Sequence, residues 1–120
     1  MLWTLGCQSP PPPQVTHVVI CWLKHPGDAV DRQKLIDTSY KLRQIPGVMN
    51  VTAGRSIAST RPTVDSTYDV AVIFTFANEK ALRAYEQNPL HKKAVSEVLI
   101  PLTAKVVIYD VKRGDASTKR

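Results

Sequence analysis

Tyr85 and His91 stand on either side of Pro89 in the segment Tyr85-Glu86-Gln87-Asn88-Pro89-Leu90-His91, where the chain concentrates its most usable proton chemistry. An unperturbed imidazole titrates near neutrality and can act as a general base. A tyrosine hydroxyl can donate a hydrogen bond to an oxygen that gains negative charge, as in an enolate or phenolate. A further histidine, His17, opens the first apolar segment and is available to orient either partner. Such a set needs neither metal nor cofactor. It suits an aldol-type cyclisation or another proton transfer beside a carbonyl. In one continuous helix, residues i and i+6 do not share a face, so convergence of Tyr85 and His91 requires a break at Pro89. The structural alternative is that His91 bonds a backbone group and pins a turn between helices. Tyr85 would then pack its ring and satisfy its hydroxyl, as buried tyrosines do, and His17 would be a satisfied strand histidine.

Other chemistry is sparse. His17, His25 and His91 with Asp69 lack a metal-ligand spacing such as His-x-x-x-His, so no metal is expected. There is no glycine-rich phosphate loop, and Ser56, Ser59 and Ser66 sit in no nucleophile-elbow context. Two cysteines do not make a disulfide framework. Cys21 lies in an apolar strand and reads as a small buried hydrophobe. Cys7 follows Leu5-Gly6 and precedes Gln8, Ser9 and the run Pro10 to Pro13. That pattern resembles a bacterial lipobox, whose cysteine is lipidated. Thr4 stands where leucine is usual, and six residues before Cys7 are fewer than a signal peptide needs. The alternative is an incidental cysteine in a disordered leader. The bacterial cell envelope and the cytoplasm are therefore equally open as locations, and any membrane attachment is expected only through Cys7.

A length of 120 residues points to one domain, with 43% hydrophobic and 22% charged residues typical of a globular chain. No apolar run reaches the eighteen residues of a transmembrane helix. Half of the net charge of +6 comes from the end of the chain, where Lys112, Arg113, Lys119 and Arg120 outnumber Asp115. The body has no stripe of lysine and arginine interleaved with aromatics, which argues against nucleic acid as a partner.

The elements that must position these side chains follow from pattern and punctuation. Residues 1–14 form a disordered proline-rich leader, residues 15–111 the folded domain, and residues 112–120 a basic mobile tail. Val15 to Lys24 is rich in β-branched residues and ends at Pro26-Gly27, the signature of a strand. Asp28 is a good N-cap for a helix from Ala29 to Gln44, stopped by Pro46-Gly47. Val48 to Ala58 reads as a second strand bulged near Gly54, Ser59 to Ser66 as a loop, and Tyr68 to Phe76 as a third strand. Asn78 caps a helix over Glu79 to Asn88. Pro89 starts another that runs to Leu99 and is stopped by Pro101. Thr103 to Val111 is the last strand. The order β-α-β-β-α-(α)-β is the split, ferredoxin-like arrangement: an α+β fold with a four-stranded antiparallel sheet and its helices on one face.

Strand alternation carries the reading further. One face of the third strand holds Val70, Val72, Phe74 and Phe76, and the other holds Asp69, Ala71, Ile73 and Thr75. In the first strand Val18, Ile20 and Trp22 oppose His17, Val19, Cys21 and Leu23. In the last, Val106 and Ile108 oppose Val107 and Tyr109. An antiparallel sheet with one wet face should alternate cleanly. Both faces here are apolar, and the few helices can cover only one. A bare second face would exceed the apolar patch of an ordinary monomer, so a homodimer with sheets closed face to face is expected.

Several short stretches, in this order and spacing, resemble the stress-responsive dimeric α/β-barrel (Dabb) family. They are His17-Val18-Val19, the helix exit Ile45-Pro46-Gly47-Val48, Tyr68-Asp69-Val70-Ala71, Tyr85-x-x-Asn88-Pro89-x-His91, and Tyr109-Asp110. The resemblance implies ferredoxin-like protomers whose sheets pair into a barrel at a dimer interface. It also implies a cavity lined by His17, Asp69, Tyr85 and His91 that takes a small apolar or aromatic ligand. One plant member of the family is a cofactor-free polyketide cyclase in which a tyrosine and a histidine of this motif form an acid/base pair. They fall on Tyr85 and His91. Asn88 stands where the family often has histidine. The alternative function implied is thus a cofactor-independent cyclase, lyase or monooxygenase.

Overall fold

The computed structural model describes residues 11–117; Cys7, and with it the lipidation reading, lies outside the described residues. The chain runs β1 (Val15–Leu23), α1 (Ala29–Lys41) with a 3₁₀ turn (Leu42–Gln44), β2 (Val48–Gly54), β3 (Val70–Phe76), α2 (Glu79–Gln87), α3 (Pro89–Ala94), a π-helical turn (Val95–Leu99), α4 (Ile100–Leu102) and β4 (Thr103–Lys112). The strands form one sheet in the order β2-β3-β1-β4, with every neighbouring pair antiparallel. This is the α+β ferredoxin-like fold.

Local chemistry starts and stops the helices. The Asp28 carboxylate accepts the Asp31 amide at 2.9 Å, and the Asn78 side-chain carbonyl accepts the Ala81 amide at 2.9 Å, each satisfying a donor that a first turn leaves open. Gly47 has a φ of 93°, and a Cβ there would stand 3.3 Å from the Ala81 Cβ. Both the left-handed backbone and the close approach of α2 call for glycine. The core lies between the helices and one sheet face. Val15, Val19, Cys21, Leu23, Val70, Val72, Phe74 and Phe76 meet Leu35, Ile45, Leu82 and Tyr85 there, all buried.

Several boundaries differ from the sequence expectation; β4, for one, runs on to Lys112, which the sequence placed in the mobile tail. β2 ends at Gly54, four residues before Ala58, and residues 55–69 form one long connection. β3 begins at Val70, two residues after Tyr68; the Asp69 amide still donates to the Cys21 carbonyl at 2.9 Å, while its carboxylate accepts the Leu23 and Gly27 amides. The helix expected to stop before Pro101 instead passes through the π-helical turn into α4, which contains Pro101. A proline near the start of a helical segment removes an amide that a first turn leaves unpaired anyway. The Thr103 hydroxyl donates to the Leu99 carbonyl at 2.6 Å and closes that end.

Candidate functional site

Tyr85 lies in α2 and is 1% exposed. Its ring packs on Phe76 at 5.1 Å and Phe74 at 5.3 Å between centroids. α2 ends at Gln87 and Asn88 takes an extended conformation, with φ −66° and ψ 135°. The backbone before a proline is driven out of the helical region. The Asn88 side chain accepts the Leu90 amide at 2.9 Å and so caps α3, with Pro89 in its first turn. This gives the asparagine in place of the frequent histidine a clear local role. The reversal brings His91 over the Tyr85 ring, with centroids 4.6 Å apart. The separation that a continuous helix forbids is thus closed by one turn of chain.

His91 Nδ1 donates to the Glu86 carbonyl at 3.1 Å, which ties the start of α3 to the end of α2. A carbonyl can only accept, so the proton sits on Nδ1 and the Nε2 lone pair is free. Burial holds the His91 pKa below its ordinary value, outweighing the Glu86 backbone bond that favours protonation; the neighbouring His17 lowers it further. At neutral pH this is a neutral imidazole with a basic nitrogen to spare. Burial first, and the Glu86 charge second, push the Tyr85 hydroxyl far above its usual value, so it stays a protonated donor. Cys21, raised to about 12 by burial, stays a thiol and is no nucleophile.

His17 comes from β1 and is 4% exposed. Its ring centroid lies 6.1 Å from that of Tyr85, on a T-shaped approach. Its Nδ1 donates to the Asp110 carboxylate, an ion pair when the imidazole is protonated. Asp110 belongs to β4 and sits directly opposite His17 in the antiparallel register. In the sequence Asp110 stands out only as part of the short motif Tyr109-Asp110. The available signal was alternation, which places this acid on the same face as Val106 and Ile108.

His17, Tyr85 and His91 line one cavity of about 270 Å³ beneath α1, α2 and α3. Its walls are mostly apolar, including Leu35, Val72, Phe74 and Leu99. Ser39 lines it as well, but its hydroxyl donates back to the Leu35 carbonyl at 2.8 Å. Asp69, expected with the other three, is placed elsewhere. Its two oxygens accept the Leu23 and Gly27 amides at 2.9 Å each and fasten the β1–α1 turn. Among the described residues, no group of three or more His, Cys, Asp or Glu side chains could hold a metal ion. Within the same limits, no helix is long and apolar enough to cross a membrane.

The model of the Stress responsive A/B Barrel Domain (Dabb) family matches residues 15–113, and the chain belongs to that family. No curated protein matches the sequence. Solved structures share the fold. A Dabb family protein with a ferredoxin-like fold from Mesorhizobium loti aligns with a TM-score of 0.71 at 23% identity, covering 87% of this chain and 100% of its own. A dimeric ferredoxin-like protein of unknown function from Thermobifida fusca aligns at 0.68 and 21% identity, covering 86% and 93%. A hydroxynitrile lyase from Passiflora edulis aligns at 0.74 and 18% identity, covering 88% and 99%.

Proposed function

We propose that this member of the stress-responsive A/B barrel family acts as a homodimer in which each protomer holds a small apolar or aromatic ligand in the cavity beneath α1, α2 and α3. The composition of that cavity carries the proposal: apolar walls around the three groups His17, Tyr85 and His91. An apolar ligand body gains by leaving water, and a few convergent polar groups fix its orientation. A volume of about 270 Å³ is at the small end for ligand sites and limits the occupant to about one substituted ring. Two observations support the homodimer. The second sheet face is apolar and lacks helical cover, and the Thermobifida fusca relative is dimeric.

Native mass spectrometry of the purified chain tests both parts. The expected species has twice the 13.3 kDa chain mass and releases a small molecule on denaturation. Leu99→Trp, which fills the cavity from its rim, should keep the dimer mass and lose the molecule. A monomer at micromolar concentration refutes the assembly, and an unchanged load in the Leu99→Trp protein refutes the cavity.

The protonation states favour a second reading, cofactor-independent proton transfer in a cyclase, lyase or monooxygenase. Nε2 of His91 would take a proton from a carbon beside a carbonyl, while the Tyr85 hydroxyl donates to the carbonyl oxygen as it gains charge. Return of the proton to the product restores the imidazole. His17, held by Asp110, would orient the Tyr85 side of the site. The Passiflora edulis lyase is a protein of this fold with a lyase activity. Once a turnover assay exists, activity that survives both His91→Ala and Tyr85→Phe sinks this route.

The envelope-tethered form of the proposal rests on Leu5-Gly6-Cys7 and the prolines that follow. A diacylglyceryl group on Cys7 in protein isolated from its native host would support it, and an unmodified cytosolic product would end it.

A further inference from the structure

A second depression, of about 510 Å³, shares no lining residue with the aromatic cavity. It is bounded by Arg32 of α1, by Arg55, Ser56 and Ile57 just after β2, and by Tyr68 and Asp69 just before β3. From the state of its two arginines we infer that it is a binding site for an oxyanion, the carboxylate or phosphate group of a small soluble ligand. This goes beyond the ligand cavity and does not depend on it.

The Nε atom of Arg32 is buried and has no hydrogen-bond partner. The Arg32 side chain makes one long bond, from Nη2 to the Gly27 carbonyl at 3.4 Å. A buried donor without an acceptor is destabilising, and more so when it is charged. The single long bond to Gly27 leaves the side chain free to turn, and a rotation that brings Nε to the depression lets an incoming acceptor recover that cost. The ion pairs found among the described residues involve His17, Arg83 and Lys112, so neither Arg32 nor Arg55 is neutralised by one.

Asp69 is the one carboxylate on the wall, and it would oppose an anion. Its Oδ2 and Oδ1 already accept the Leu23 and Gly27 amides. Its charge is therefore partly spent on the backbone, and two guanidinium groups still face one carboxylate. Asp28, at the same end of α1, caps the helix through the Asp31 amide and does not line the depression. The hydroxyls of Ser56 and Tyr68 add two further groups that can donate. Two guanidinium forks with flanking hydroxyls match the planar edge of a carboxylate or two oxygens of a phosphate, and match a spherical halide less well.

Nuclear magnetic resonance of the full chain tests the assignment. Inorganic phosphate and sodium succinate are titrated separately, with sodium chloride at matched ionic strength as the control. The Arg32 Nε–H signal and the Arg55 and Ser56 amides should move saturably with phosphate or with succinate and stay put with chloride. Whichever probe is tighter identifies the headgroup. Arg55→Gln alters an exposed loop residue and should leave the rest of the spectrum intact. It should weaken binding by about tenfold, the effect of losing one charge-assisted contact. Arg32→Gln should do at least as much where it folds. The site is refuted if neither probe gives a saturable shift, if chloride reproduces the shifts, or if Arg55→Gln binds as tightly as the parent.

Discussion

On one face of the sheet Val70, Val72, Phe74 and Phe76 are buried beneath the helices; on the other Ile73, Tyr109 and Val111 stand 39%, 59% and 52% exposed. The register shows that Val18 lies between Ile73 and Tyr109, and Ile20 between Ala71 and Val107, so the open face has a continuous apolar centre. The two faces have similar residue types and different partners. The covered face supplies the chain's own core, and within it the chain accepts His17, His91 and Tyr85 at the cost of desolvating them, with Asp110 at the more exposed edge of β4. Around the apolar centre the register puts Thr16, Thr75, Asn50 and Thr52 on the open face, with the Trp22 Nε1 bond to Thr67 at 2.9 Å and Lys105 lying 4.7 Å above the Trp22 ring. Chemistry sits where the protomer can enclose it, while the open face fits the second copy of the sheet under the proposed homodimer.

The contrast can be broken most directly in the covered face. Phe76→Ala removes a fully buried ring and should cost about 3–5 kcal/mol in urea unfolding; a loss under 1 kcal/mol would mean the face is not core. On the open face, Ile73→Lys should leave the circular dichroism spectrum unchanged yet weaken dimerisation by about 2 kcal/mol or more. Light scattering reads this directly, and an intact dimer would place the contact elsewhere. Asp110→Asn probes the polar inclusion. The carboxylate side chain is 37% exposed, so its bond to His17 is discounted for solvent and should contribute only about 1 kcal/mol. Nitrogen chemical shifts of His17 should report a lost preference for the proton on Nδ1, which a purely packing role would not alter.

The smallest effect is a pH dependence. Burial lowers the folded His91 pKa below the ordinary imidazole value of 6.5. The unfolded chain therefore binds a proton that the folded chain resists, and stability rises with pH between the two values. Above the unfolded value this group has no further influence. As pH falls from about 7 through the folded value, stability should drop, and His91→Gln should remove that component. Any turnover that uses His91 as a base should fade over the same acid range.

Much of the architecture is legible in residue order. Asp28 and Asn78 cap helices where expected, and the alternating residues of β1 and β3 occupy the faces assigned to them. The end of β2 was less legible. Gly54 pairs with Ala71, after which Asp69 turns to amides near the end of β1, a contact between segments distant in sequence. Tyr85 and His91 were identifiable as a pair by type, but their ring contact depends on the extended turn at Asn88.

By itself, then, the sequence determined element types, the two apolar faces and the residue types available for proton transfer. These follow from neighbours a few residues away, through backbone sterics, capping and side-chain alternation. Tertiary structure alone decided which of those residues meet. Pairing of β1 with β4 set Asp110 against His17 across a separation of 93 residues. It also sent Asp69 to a backbone turn and left Arg32 Nε buried without a partner. Strand register is a property of the whole sheet, and a local pattern of alternating residues leaves it open until the strands pair.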